Sequence, residues 1–209
     1  MSTTANFANV STSDISTLFT ANFDTLDTVA IASLTPTNIA YLSSVQIQLL
    51  TSVQIPAIET EDFAALKSEQ VAYLSDTQVP YLTSSQVNAF TTSSISGLTS
   101  SAVKAFTTSN IAGLEAADLA AITTTSIKEL EADDIAVLNT AQVAGIIGAQ
   151  IAVFNTAQVD AFTPSNISGL TTAAVKALTT SNIAGLAAAD LAAITTTSIK
   201  ELELSLIHI

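Results

Sequence analysis

From Thr3 to Leu202 one eight-residue unit is written about twenty-five times with no residue inserted or deleted between copies. The unit reads Thr-Thr-Ser-Asn-Ile-Ala-Gly-Leu at 107–114 and Ser-Ser-Val-Gln-Ile-Gln-Leu-Leu at 43–50, so its fifth and eighth places are the apolar ones. The fifth place runs Phe7, Ile15, Phe23, Ile31, Ile39 and onward in steps of eight to Ile199, and the eighth runs Val10, Leu18, Leu26 and onward to Leu202. An unbroken short period specifies an elongated stack of like units, because each unit has only its neighbours against which to bury its apolar face. Burying two side chains per octad does not offset the entropy lost in ordering eight residues, so no octad folds alone.

Two local signals give the unit its secondary structure. The first place is usually Thr or Ser and the fourth Gln, Asn or Asp, as in Thr51 with Gln54, Thr83 with Gln86, Thr107 with Asn110 and Thr163 with Asn166. A hydroxyl at a helix N-cap accepts from the backbone N–H three residues on, and the polar side chain there reaches back to the cap. Pro36 and Pro164 follow Thr35 and Thr163 at the first helical position, where a missing N–H costs nothing. The fifth and eighth places lie three apart, on one face of a helix but on opposite faces of a strand. The expected fold is therefore an all-α solenoid of about 25 short capped helices of about two turns, one per octad. The alternative is a β-solenoid, favoured by the many Thr, Val and Ile residues. One long helix is excluded, since eight residues advance the face by about 80° beyond two turns and the apolar stripe would wind around the cylinder. The break is expected at the eighth-to-first junction, with Pro56 and Pro80 shortening their octads to a single turn.

Residues 3–203 form one continuous repeat region without a linker. A longer duplication lies on it: residues 90–131 match 162–203 at an offset of 72 residues, and Leu-Ala-Ala-Ile-Thr-Thr-Thr-Ser-Ile-Lys-Glu-Leu stands at both 119–130 and 191–202. Nine octads divide by three and not by two, which favours three octads per coil. Small seventh-place residues such as Ala57, Gly97, Gly113 and Gly169 permit close backbone approach, whereas the sixth place takes Lys104, Lys128, Asp160, Lys176 and Lys200 and so faces outward. Tyr41, Tyr73 and Tyr81 are expected at the edge with their hydroxyls in water. Residues 204–209 break the pattern, and Ser-Leu-Ile-His-Ile resembles a translated sequencing adapter. That end is expected to be an assembly artefact, an amphipathic cap being the alternative.

Composition narrows the function. The net charge is −13, with five lysines and no arginine, which excludes phosphate-backbone binding as the purpose of the chain. No stretch approaches the length of a membrane span, and the absence of cysteine removes thiolate metal sites and cysteine nucleophiles. The single histidine, His208, stands at the extreme end, so no Ser-His pair and no cofactor site is expected, and the chain is read as not an enzyme. Two acidic clusters, Glu59, Glu61, Asp62 and Glu131, Asp133, Asp134, are the candidates for weak calcium binding. Their first, third and fourth places are also where negative charge favours a helix N-terminus.

The tracts Leu-Thr-Ser-Ser-Gln-Val-Asn-Ala-Phe-Thr-Thr at 82–92 and Leu-Asn-Thr-Ala-Gln-Val-Ala-Gly-Ile at 138–146 resemble the Leu-Thr-Thr-x-Gln-Val-x-Ala-Leu tracts of large secreted bacterial exoproteins, including adhesin-like ones. The resemblance covers almost the whole chain and implies an extracellular or cell-surface stalk, spacer or adhesive scaffold. Its partners would be a surface ligand or neighbouring repeat domains of a longer chain. The alternative function is a binding surface, either an ice-binding face built from the Thr and Ser ladders or a peptide-binding groove.

Overall fold

The computed structural model describes residues 6–18 and 21–207, with side chains as far as Leu202. Among the described residues there are 18 α-helices and six 3-10 helices and no β-strand, Leu26 being an isolated bridge residue. The all-α expectation holds, and extended ladders are not what the Thr, Val and Ile residues form. The repeat breaks where expected. Leu114 at an eighth place has φ −66° and ψ 134°, and Glu115 at the next first place has φ −86° and ψ 164°.

Two extended residues per octad leave little room for helix. The α-segments are four to six residues long apart from Thr196–Ile207, so the expected two turns are corrected to between one and about one and a half. Most close with a tight bond from the eighth-place N–H to the fifth-place carbonyl, as from Leu74 to Val71 at 3.1 Å, whereas Leu18 and Ile194 bond to the fourth-place carbonyls of Asp14 and Asp190. The Pro56 and Pro80 octads contract further, to the 3-10 turns Ile55–Ala57 and Val79–Tyr81. The same turn forms at Ile111–Gly113, Ile167–Gly169 and Ile183–Gly185, where Asn holds the fourth place and Gly the seventh. Pro36 opens its helix behind the Thr35 cap as expected. Pro164 instead lies in the turn that precedes Ile167–Gly169.

The fifth and eighth places form one continuous apolar core, with Ile15, Ile55, Ile95, Ile135 and Val159 fully enclosed. The sixth-place lysines, Asp160, Pro56 and Pro80 are exposed. Tyr41, Tyr73 and Tyr81 lie at the surface, and Lys67 Nζ sits 4.9 Å from the centre of the Tyr41 ring.

Segments pack against the segment three octads away, as Ser68–Val71 does against Thr92–Ile95 and Ser84–Asn88 against Ile111–Gly113. Side-chain hydrogen bonds between coils span 28 and 31 residues, reaching the fourth octad back. Each segment thus meets the third octad along through packing, as three octads per coil would require, and the fourth through its fourth-place side chain.

Contact between coils is closest at the seventh-place glycines. A Cβ added to Gly97 would stand 2.0 Å from the Ser68 carbonyl oxygen, and one on Gly145 the same distance from that of Ala116. Those glycines are where the backbones themselves touch.

Candidate functional site

The residue that organises the molecule is at the fourth place. Gln46, Gln54, Gln70, Gln78, Gln86, Gln142, Gln150 and Gln158 are all buried, Gln46 and Gln150 completely. The expected return to the cap is present in all four pairs picked out from the sequence. The Thr51, Thr83, Thr107 and Thr163 N–H groups donate to the side-chain oxygens of Gln54, Gln86, Asn110 and Asn166 at 2.9 to 3.0 Å. The other half of each amide points into the coil beneath. Gln54 Nε2 donates to the carbonyls of Phe23 at 2.8 Å and Leu26 at 2.9 Å, and Gln150 Nε2 to those of Leu119 and Ile122, both at 2.7 Å. The acceptors are the fifth- and eighth-place carbonyls of the octad four units back.

Such a carbonyl has two lone pairs, so the fifth-place oxygen holds its own eighth-place N–H and the amide from the next coil together. Shorter side chains make the same tie. Asn166 Nδ2 reaches the Ile135 and Leu138 carbonyls at 3.2 and 3.0 Å, and Ser126 Oγ reaches that of Leu98 at 2.8 Å. Helix ends and their orphaned carbonyls thus lie inside the stack with partners. Sequence reasoning placed this residue in the cap and missed its inward half. One signal could have found it: the fourth place takes Gln, Asn, Asp, Ser or Ala but never Glu in any octad. Glu would serve a capping box equally well, so its absence beside fourteen octads with Gln or Asn points to a use for the amide's hydrogens.

Hydroxyls at the second place make an outer set of ties. Ser100 Oγ, Thr140 Oγ1 and Thr156 Oγ1 donate to the carbonyls of Thr125, Ser165 and Ser181 at 3.0 to 3.1 Å, each 25 residues ahead. Exposed ion pairs join coils at the rim, Lys104 to Glu131 at 3.9 Å and Lys176 to Glu201 at 3.4 Å. Pairs this exposed contribute little to stability.

The two calcium candidates are split by the fold. Glu59 and Glu61 are exposed while Asp62 is buried, and Glu131 and Asp133 are exposed while Asp134 is buried. Among the described residues no three His, Cys, Asp or Glu side chains are grouped as a metal would need. Burial, followed by the charges of Glu59 and Glu61, raises the Asp62 carboxyl to about 6, the Glu59 N–H opposing this only in part. Asp134 rises to about 6 for the same reasons, with Glu131 and Asp133 as its neighbours. Asp118, at a third fourth-place position, is raised by burial against the pull of the Glu115 N–H, which donates to its Oδ2 at 3.1 Å. His208 lies outside the described residues, as do the side chains of 204–209.

An open groove of about 610 Å³ crosses three stacked octads beside Ala64, Ser84, Asn88 and Gly113. Asn88 Nδ2 spans it, donating to the Gly113 carbonyl at 3.1 Å and to Glu115 Oε1 at 3.3 Å. No described helix is long and apolar enough to cross a membrane.

The ALTTAQ repeat family matches this chain over residues 55–92 and 111–146. The six letters of that name fall on places seven, eight, one, two, three and four of the octad, as in Val-Leu-Asn-Thr-Ala-Gln at 137–142. The repeat character read from the sequence thus has a family match over those two stretches, and in this chain the Gln at the last of those places is the inward amide. No curated protein matches the chain.

Proposed function

We propose that the chain is a structural or adhesive repeat region, a spacer, scaffold or stalk of an extracellular bacterial protein, and that it catalyses no reaction. The observation that carries this reading is the recurring tie between coils. In the glutamine and asparagine octads one amide both caps its own helix and joins the coil beneath, so length can be added octad by octad without redesigning any surface. The similarity to the ALTTAQ repeat supports a repeat scaffold. The net charge of −13 supports a rod that stays apart from its neighbours in solution. The solenoid reading requires about eight three-octad coils, which at about 8–10 Å per helix layer make a rod about 65–80 Å long.

Small-angle scattering of the purified chain tests the spacer: a maximum dimension in that range supports it, and a near-spherical particle overturns it. Antibody labelling of intact cells of the source bacterium tests the extracellular placement, which fails if signal appears only after lysis.

A second reading, a peptide-binding surface, draws on the groove beside Asn88. Extended peptides would then be retained by the wild-type chain and not by Ala89→Trp, which fills the groove. An ice-binding face has less support, because the second-place hydroxyls at Ser100, Thr140 and Thr156 are engaged in ties between coils.

A further inference from the structure

Asp62 and Asp134 occupy the inward fourth-place slot with the wrong chemistry for it. In the glutamine and asparagine octads the slot holds an amide, which gives hydrogens to the carbonyls below. A carboxylate has only lone pairs to offer, and so do those carbonyls. The register that sets Gln54 over Phe23 and Leu26, and Gln70 over Ile39 and Leu42, sets Asp62 over Ile31 and Leu34 and Asp134 over Val103 and Phe106. Asp62 is 1% exposed and Asp134 2%; both oxygens of the first and Oδ2 of the second are buried without a hydrogen bond, the Glu59 N–H acting on Asp62 only from outside bonding geometry. Reach is not the obstacle. Asn38, of equal length and in a helix of the same four residues, donates across the coils to the Val10 carbonyl at 3.1 Å.

We infer that Asp62 and Asp134 are proton-operated ties between coils: as carboxylic acids they donate to the eighth-place carbonyls of Leu34 and Phe106, and as carboxylates they release and repel them. A proton is favoured over a metal because the slot is closed and no second acidic side chain turns into it. The upward displacement of both carboxyls to about 6 puts the change within reach of mild acid. Around Asp62 the charged groups are Glu59 and Glu61 on its own segment and Asp27 at the cap of the octad below. The packed helices Pro36–Ile39 and Ser84–Asn88 carry none. Around Asp134 they are Glu131, Asp133, the exposed Lys104 paired with Glu131, and exposed Asp160 on the packed helix Thr156–Asp160. Asp118 and Asp190 differ, since each accepts the N–H of its own cap at 3.1 Å.

The sign follows from the direction of the shift. A carboxyl raised in the folded state binds its proton more tightly there, so stability is full below the unfolded value near 4. It is lost as pH rises to about 6 and is level above. Urea unfolding of the full chain at pH 4.5, 6.0 and 7.5, for wild type and for Asp62→Asn/Asp134→Asn, tests it. The wild type should be most stable at pH 4.5, and the double variant, with a permanent donor in each slot, should lose that advantage of acid and exceed the wild type at pH 7.5. The folding constant should change by about thirtyfold per aspartate between pH 4.5 and 7.5. A double variant that keeps the wild-type pH profile, or is weaker than wild type at pH 7.5, overturns the inference. So does stabilisation of the wild type by 1 mM calcium at pH 7.5 that the double variant lacks. Should the variant not fold, carboxyl ¹³C resonances of the wild type decide: two aspartates titrating near pH 6 support the tie, and none above pH 5 removes it.

Discussion

Gln86 Nε2 lies 2.7 Å from the carbonyl oxygen of Ile58 and 2.8 Å from that of Ile55, while Oε1 of the same amide accepts the Thr83 N–H at 3.0 Å. One side chain thereby closes the start of its own helix and the end of a helix in the coil beneath. Its replacement by Leu keeps the size and removes every one of these bonds. Two buried carbonyls then lose a donor at roughly 1–3 kcal/mol each, eased at Ile55 by the bond it keeps from the Ile58 N–H. Gln86→Leu is expected to cost about 2–4 kcal/mol in urea unfolding. Thr83→Ala, which removes only the exposed hydroxyl cap, is expected to cost about 1 kcal/mol. Equal losses in the two variants would mean that the tie between coils contributes nothing.

Gly145 and Gly113 predict a second asymmetry. A methyl group on either meets a backbone carbonyl oxygen at 2.0 Å, of Ala116 and Ser84 respectively, and a backbone oxygen cannot rotate aside. At Gly148 the nearest atom, the Ala173 oxygen, would be 2.9 Å away. Helix propensity alone makes alanine better than glycine by up to about 1 kcal/mol. Gly145→Ala is nevertheless expected to destabilise by about 1–3 kcal/mol, as overpacking does, and Gly148→Ala by less. Thermal melts of the two variants side by side read the difference. The loss at Gly145 is bounded because other octads accept Ala57 or Ala65 at the seventh place.

The core and the caps were legible in the sequence because each has a local signature. Large apolar residues at the fifth and eighth places have no reason to recur except burial, and Thr or Ser three residues before Gln or Asn has few uses other than a cap. The inward turn of Gln46 or Gln150 was not legible by the same logic, since a polar residue beside an apolar one normally faces water. Only the structure shows the carbonyls that receive it. The partners of that amide were hidden for another reason: they stand 28 and 31 residues back, which is not a whole number of octads, so no sequence period marks them.

The same relation between octad and coil predicts which deletions survive. Most units offer a fourth-place donor and all offer the same fifth- and eighth-place acceptors, so removal of residues 83–90 brings equivalent units into register. The helical circular dichroism spectrum and a single melting transition should persist, because the stability of such arrays is a sum over units and their contacts. Removal of only 83–86 places fourth-place residues where apolar ones belong in every later coil contact. That variant is expected to lose cooperative melting, and a result in which both deletions melt alike would separate the fold from the octad.

Thr140 and Thr156 bear on both stability and function. Each hydroxyl donates at 3.0 Å to a third-place carbonyl in the next coil, of Ser165 and Ser181. The ties lie at the surface, where water competes, so Thr140→Val/Thr156→Val is expected to cost about 1–2 kcal/mol in total, toward the lower end for hydrogen bonds. Valine retains the β-branched shape, and the loss therefore reports the hydroxyl and not the packing. If these threonines serve the stack, the variant melts lower and any adhesive or ice-recrystallisation activity of the chain is unchanged. If instead they form a recognition face, that activity falls while the melting temperature stays within a degree or two of the parent's. A scan of melting temperature beside a recrystallisation assay on the same two samples therefore distinguishes a hydroxyl ladder that holds coils together from one that meets a ligand.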